Sequence, residues 1–553
     1  MVVDPDLVTA DFNDSGLNKG TLISSAEFWA DEFSHAHTPP TGIEDLVIYE
    51  LHVGSLNPAT LDAGTFADAL ALIPYLTDLG VNAVELMPVL QFDGNLQWGY
   101  GTSHYFCLQT SASGGNQLKH FVKACHQRGI AVILDVGYNH FAQDADRAEW
   151  SFDTDGTLAP EHNSYYWYEG KLTDYRDWTG GYVNNGSSGW APRYWEEQVR
   201  AMFTSSAAML IDEYHIDGLR VDLTGAIHQD NSLNADGRSL GNANQFGTKL
   251  LREFTRTVKL IQPNAFLIAE DHTGWRAMTQ SSDAGGVGFD AVWYADFYHH
   301  LMGDGNVGSN YARLIKIAGY GNGQSLAMDS FAGALAATQF ATVAYHESHD
   351  EAGNGQNTER TMVTAVNGAA LIGDTRKYAE ARCRLSYGLA AMSAGTPMFL
   401  MGEEIGAAKP FRTTDFDQNK EDLVGERNGN GRYLFRFYQD LTKLVQTRPS
   451  LRSRSLDVLY VHNENRVLAF RRAHGAEQTL VMASLNDNSF SQGYRIQTDS
   501  RLPDGLWREV FNSDASVYGG DNVCNYGAAI PSAGGAINAV IPAHGFVVLI
   551  REP

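Results

Sequence analysis

The chain has 553 residues, too many for one ordinary core, so two or three domains are expected. An apolar fraction of 43% with 19% charged residues is the composition of a folded globular protein, and 65 Asp and Glu against 40 Lys and Arg give a net charge of −25. That charge repels phosphate backbones and anionic lipid, which argues against nucleic acid and membrane partners and leaves a neutral substrate unopposed.

Four cysteines, Cys107, Cys125, Cys383 and Cys524, include no CxxC pair, so neither a disulfide framework nor a zinc site is expected. The first residues, MVVDPDLVTADFNDSG, are acidic and lack an apolar core of the signal-peptide kind. Reduced thiols and a cytoplasmic location follow as expectations. The longest weakly polar stretch, Leu389 to Gly402, is interrupted by Ser393, Thr396 and Pro397 and is too short to span a bilayer.

Residues 1–46 are rich in Asp, Ser and Pro without a clear period and read as a lead-in or the remnant of a preceding domain. From residue 47 short apolar runs recur, each ending in polar residues: VIYELHV (47–53), AVELMP (83–88), IAVILDV (130–136), HIDGLRVD (215–222), AFLIAED (265–271), GFDAVW (288–293), TVAYHES (342–348) and PMFLMGEE (397–404). Helical signals lie between them at 65–79, 117–128, 195–213 and 244–261. Strands alternating with helices predict a parallel sheet, and eight such units predict an α/β fold of the closed (β/α)8 type over 47–445, with an open doubly wound sheet as the alternative. The interval after the third run is long, and the excess at about 141–195 is dense in Tyr, Trp, Gly and Asn. It reads as a loop subdomain over the barrel mouth, with Trp167, Trp178, Trp190 and Trp195 as stacking surface or simple packing. Over 446–553 alternating segments such as RVLAFRR, TLVMASL and GFVVLI predict an antiparallel β-sandwich.

In such a barrel, reactive side chains stand at the C-terminal ends of the strands. Here those ends carry acids: Asp135 with Asn139 and His140 after the third, Arg220 and Asp222 on the fourth, Glu270 and Asp271 after the fifth, and His349 and Asp350 after the seventh. A single strand-end acid is usually a helix cap. Several round one barrel mouth repel one another and point to a metal site or to acid/base chemistry. A retaining glycosidase needs a carboxylate nucleophile and a protonated acid about 5–5.5 Å apart, and adjacent strands lie roughly 4.8 Å apart. Arg220, on the same strand face as Asp222, is placed to keep it ionised.

The stretches DVGYNH (135–140), GLRVD (218–222), AED (269–271) and SHD (348–350) resemble, in order, the four signature regions of the α-amylase superfamily, glycoside hydrolase family 13. The resemblance implies Asp222 as nucleophile, Glu270 as general acid/base and Asp350 as transition-state stabiliser. It further implies substrate binding by Tyr100, Asp135, His140, Arg220 and His349, with Tyr100 under the sugar at subsite −1. On this expectation Glu270 titrates high and Asp222 low. No cofactor is implied. No metal is expected either, although Asn139 matches a position that binds calcium in many amylases.

Within the superfamily two resemblances compete. YELHVGS, ELMPV, WGYG, FDAVWYADFYHHL and MGEE resemble maltooligosyltrehalose trehalohydrolases, while WREVFNSDASVYGGDNV, AED followed by HTGW, and SHDE resemble glycogen branching enzymes. An α-1,4-glucan branching transferase is the expectation, with trehalohydrolase or another α-1,4-glucan hydrolase as the alternative. A catalytically silent glucan-binding scaffold is disfavoured by the presence of all three acids. Both groups of relatives carry an N-terminal β-sandwich, of which 1–46 resembles a remnant. Oligomeric state is not legible in the residues.

Overall fold

The computed structural model of the chain describes residues 8–12, 18–22, 25–33, 37–92, 97–112, 114–142, 189–229, 241–303, 311–355 and 357–552. Its centre is a closed barrel of eight parallel strands: β1 (Ile48–Leu51), β2 (Ala83–Leu86), β3 (Ala131–Val136), β4 (Gly218–Val221), β5 (Phe266–Ala269), β6 (Ala291–Trp293), β7 (Thr342–Ala344) and β8 (Thr396–Leu400). Round the ring each strand follows its chain neighbour, and β8 pairs with β1. The alternation read from the sequence is therefore a barrel and not an open sheet.

The strands read as unbroken apolar runs because both faces of a parallel sheet are covered. Every residue of β1, β2, β3, β4, β5 and β8 is buried. The helices fall where their 3.6-residue pattern predicted, at Phe66–Leu79, Gly114–His126, Glu197–Asp212 and Gly241–Ile261. β4 opens on Gly218 because a Cβ there would stand 2.5 Å from the Phe266 carbonyl oxygen on β5. No larger residue lets these two strands pair at that point.

The chain divides into two compact units, Met1–Thr41 with Leu51–Ile73 and Asn82–Val292, and Gly42–Glu50 with Pro74–Val81 and Trp293–Pro553. The second unit contains the C-terminal strands β9 (Leu456–His462), β10 (Val467–His474), β11 (Glu477–Ser484), β12 (Phe490–Gln497), β13 (Gly505–Asn512), β14 (Ala529–Ala533), β15 (Ala536–Ile541) and β16 (Gly545–Arg551). They form one antiparallel sheet in the order β9-β10-β11-β16-β13-β14-β15-β12. Alternate residues from all eight, among them Leu480, Ile496, Trp507, Ile537 and Val547, meet in a single apolar core. The sheet thus wraps its own core, which is how the predicted sandwich is realised. The four cysteines are free thiols, with Cys107 exposed and the others buried. No helix among the described residues is long and apolar enough to cross a membrane.

Candidate active site

Strand register assembles the acids of the first unit. Arg220 on β4 lies opposite Asp135 on β3, and Val221 lies opposite Ala269 on β5. The ladder runs one residue further, because the Asp222 N–H donates to Val136 O (3.0 Å) and the Glu270 N–H donates to Val221 O (3.0 Å). Asp222 and Glu270 are therefore side by side at adjacent strand ends. Arg220 and Asp222, two residues apart, share one face of the strand.

A single guanidinium ties these acids together. Arg220 Nη1 donates to Asp135 Oδ2 at 2.7 Å and to Asp222 Oδ1 at 2.9 Å, while Nη2 lies 3.0 Å from Glu270 Oε2. Arg220 and Asp135 are buried, Asp222 keeps 15% of its side chain exposed and Glu270 keeps 9%. Three carboxylates facing one buried cation cannot all be ionised cheaply, so the cluster must share protons.

In the glucan-free protein the donors of this cluster are aimed more at Glu270 than at Asp222. Burial raises the Asp222 carboxyl well above the ordinary carboxylate range, the adjacent Glu270 charge adds to this, and Arg220 only partly opposes it. Burial acts on Glu270 too, but Arg220, His272 and the Leu223 N–H together outweigh it and hold its carboxyl below the ordinary range. The cause is where the donors point. Glu270 Oε2 accepts the Leu223 N–H at 2.8 Å, and Oε1 stands 3.0 Å from His272 Nε2. Leu223 aims its N–H this way from a left-handed backbone conformation, φ 39°.

The turn after Glu270 is pinned from several sides. Asp271 Oδ1 accepts the Thr273 N–H (3.0 Å) and hydroxyl (2.6 Å). Its Oδ2 takes the Thr224 hydroxyl at 2.9 Å and faces His228 Nε2 at 2.6 Å. Trp275 packs on the His228 ring at 4.7 Å. The side chain of His272, carried on this turn, is 45% exposed.

Tyr100, Asn139 and His140 complete this part. The Tyr100 hydroxyl donates to Asp135 Oδ2 at 2.5 Å, and Asn139 Nδ2 donates to Asp222 Oδ2 at 2.8 Å. His140 is buried, with Nε2 2.7 Å from Tyr100 O and Nδ1 against the Asn139 carboxamide oxygen. Burial pushes this histidine down to about 4, which keeps the ring uncharged at neutral pH. Asn139 thus links Asp222 to His140. Among the described residues no group of three or more His, Cys, Asp or Glu is arranged to hold a metal.

His349 and Asp350 belong to the second unit, just past β7. His349 Nδ1 lies 2.5 Å from Glu50 Oε1, its N–H donates to Glu50 Oε2 at 3.2 Å, and the Trp293 ring stands 5.8 Å away. Asp350 leaves 48% of its side chain open. Glu50 was missed in the sequence because it sits inside the apolar run VIYELHV, where an acid in a strand that is buried throughout is the only signal. Of the loop tryptophans, Trp167 and Trp178 lie outside the described residues. Trp190 is buried, and Trp195 is exposed with the Arg193 guanidinium 5.4 Å from its ring centre.

Two carboxyl groups at adjacent strand ends, one partly open and one held by donors, are suited to nucleophilic and proton-transfer chemistry at one centre. Over 500 residues the chain is 29% identical to the 1,4-alpha-glucan branching enzyme GlgB of Nitratidesulfovibrio vulgaris, covering 87% of this chain and 71% of that relative. The corresponding enzyme of Salinibacter ruber is 29% identical over 522 residues, covering 90% and 75%. Among solved structures, the α-amylase of Geobacillus thermoleovorans complexed with acarbose superposes with a TM-score of 0.65 at 16% identity, over 92% of this chain and 99% of that one. An Anoxybacillus α-amylase gives 0.65 at 17% identity, over 93% and 99%. At such identities these two speak for the fold alone. The profile of the α-amylase catalytic domain matches residues 59–436 and that of the α-amylase C-terminal all-beta domain matches 460–552. Matched over well more than half its length, the chain belongs to the α-amylase family and is an enzyme of its glycosidase and glucanosyltransferase class.

Proposed function

We propose that this protein is a 1,4-α-glucan branching transferase, cleaving α-1,4 linkages and re-forming them as α-1,6 linkages through a covalent glycosyl-enzyme. The observation that carries this is the similarity to branching enzymes, which runs through barrel and C-terminal sheet alike. In this reading substrate binding brings the proton shared around Arg220 to Glu270, so that ionised Asp222 attacks the anomeric carbon while Glu270 protonates the departing glycosidic oxygen. Glu270 then takes the proton of the acceptor hydroxyl as the ester to Asp222 opens. Arg220 and Asn139 orient Asp222, each holding one of its oxygens. Asp135, His140 and Tyr100 support the sugar at subsite −1, and Asp350 with His349 takes the family's stabilising role after β7. The substrate is a neutral α-glucan, in keeping with the acidic surface, and the cytoplasm is the proposed location.

Incubation with amylose tests the reading. Falling iodine absorbance, new α-1,6 linkages and little gain in reducing ends are expected. Reducing ends or trehalose released from maltooligosyltrehalose, without α-1,6 linkages, would replace it with a hydrolase.

A further inference from the structure

We propose that His272 is a positioning residue that occupies Glu270 Oε1 in the glucan-free enzyme and yields it to an acceptor sugar, so that the glycosyl group passes to a glucan hydroxyl and not to water. This rests on the branching reading above.

The two oxygens of Glu270 are held very differently. Oε2 is fixed by a backbone N–H and by a fully buried guanidinium. Oε1 is covered by one imidazole that is 45% exposed, although the carboxyl beneath it is nine-tenths buried. The backbone under His272 is immobilised by the Asp271–Thr273, Asp271–Thr224 and Asp271–His228 contacts. What can move is the ring.

In the second half of the reaction an acceptor O–H attacks the anomeric carbon of the Asp222 ester. The new C–O bond forms, the bond to Asp222 breaks with its electron pair returning to the carboxylate, and the hydroxyl proton goes to Glu270. Water needs the same base. With the imidazole on Oε1, a water molecule brings no binding energy to displace it, whereas a glucan seated beyond the cleavage point does. Displacement also removes a donor that favours the ionised carboxyl, leaving Arg220 and Asp222 as the charged groups facing Glu270, so its proton affinity rises as the acceptor arrives.

The test compares the parent with His272→Ala and His272→Gln on amylose, counting new reducing ends and new α-1,6 linkages in the same samples. In the Ala protein the ratio of reducing ends to α-1,6 linkages is expected to rise about tenfold, the effect of one hydrogen bond to a charged group. The basic limb of the pH–rate profile should move to higher pH. Gln, which keeps an N–H donor, should bring the ratio back towards the parent. A lower rate at an unchanged ratio and an unmoved limb overturns the latch and leaves branching intact. A parent that makes no α-1,6 linkage overturns the branching reading, and the latch with it.

Discussion

Two arginine-centred acid clusters, one in each unit, differ in their access to solvent. Around Arg220, Asp135, Asp222 and Glu270 compete for one cation, and two of the three keep an opening to solvent. Around Arg360, Glu347, Glu403 and Glu404 are sealed, with Arg360 Nε 2.9 Å from Glu347. There the oxygens are satisfied from within. Glu404 accepts the hydroxyls of Tyr49 (2.8 Å) and Tyr75 (2.5 Å) and the Gly402 N–H (2.9 Å). Glu403 accepts the Leu400 N–H at 2.8 Å and the Tyr438 hydroxyl at 3.1 Å. Burial raises Glu403 and Glu404 alike, and neither is open to solvent. Strand-end acids mark a site only where a substrate can reach them.

The comparison breaks most sharply at Asp222. Asp222→Asn should cost roughly four orders of magnitude or more in turnover with thermal unfolding unchanged, and a fluorosugar inactivator should label Asp222. Labelling at Asp135 would transfer the nucleophile's role there. Glu270→Gln should cost about 10²–10⁴-fold and abolish the basic limb, sparing donors with activated leaving groups. Equal losses on activated and unactivated donors would remove Glu270 from the acid's role.

A smaller free-energy effect is expected in the sealed cluster, and it should fall on stability. Glu404→Ala strands the Tyr49 and Tyr75 hydroxyls and opens a cavity, for a loss of about 3–5 kcal/mol. Glu404→Gln should cost less, because it keeps the volume of the side chain and an oxygen for both tyrosine hydroxyls. Denaturant unfolding compares the two, and activity per folded molecule should stay level. A kinetic defect in the Gln protein would mean that the two clusters are less distinct than their access implies.

Smallest, and dependent on pH, is a third group in the first unit. His126 lies 2.7 Å from Glu32 and 2.8 Å from Asp217, with the Phe33 ring stacked at 5.3 Å. Burial alone would lower it, but Asp217 and Glu32 prevail and raise it to about 9. A raised histidine stabilises fully below its unfolded value near 6.5 and loses that contribution as pH climbs through 9. His126→Gln should therefore cost up to roughly 3 kcal/mol at pH 6 and progressively less towards pH 10. A stability gap that stays constant over this range would show that packing, not charge, holds His126.

The barrel was legible because its strands are short apolar runs between helices of clear period, and most boundaries lie close to those expected. The acids at the ends of β3, β4 and β5 were legible for the same reason, since each closes an apolar run. What stayed hidden depends on neighbours distant in the chain. No local pattern tells that Glu403 and Glu404 after β8 meet tyrosines 49, 75 and 438, or that Glu50 serves His349. The Leu223 N–H and the His272 ring, both aimed at Glu270, likewise have no signature in the sequence.

The left-handed residue after Asp222 has a consequence for engineering. Leu223 sits where a glycine would rest without strain, at φ 39° and ψ 54°. Its conformational strain is retained at the one place where a backbone N–H must meet Glu270. Screens that reward thermostability should favour glycine here, at the cost of a freer backbone under the N–H that Glu270 accepts. Robustness and rate are thus set against each other at a single position.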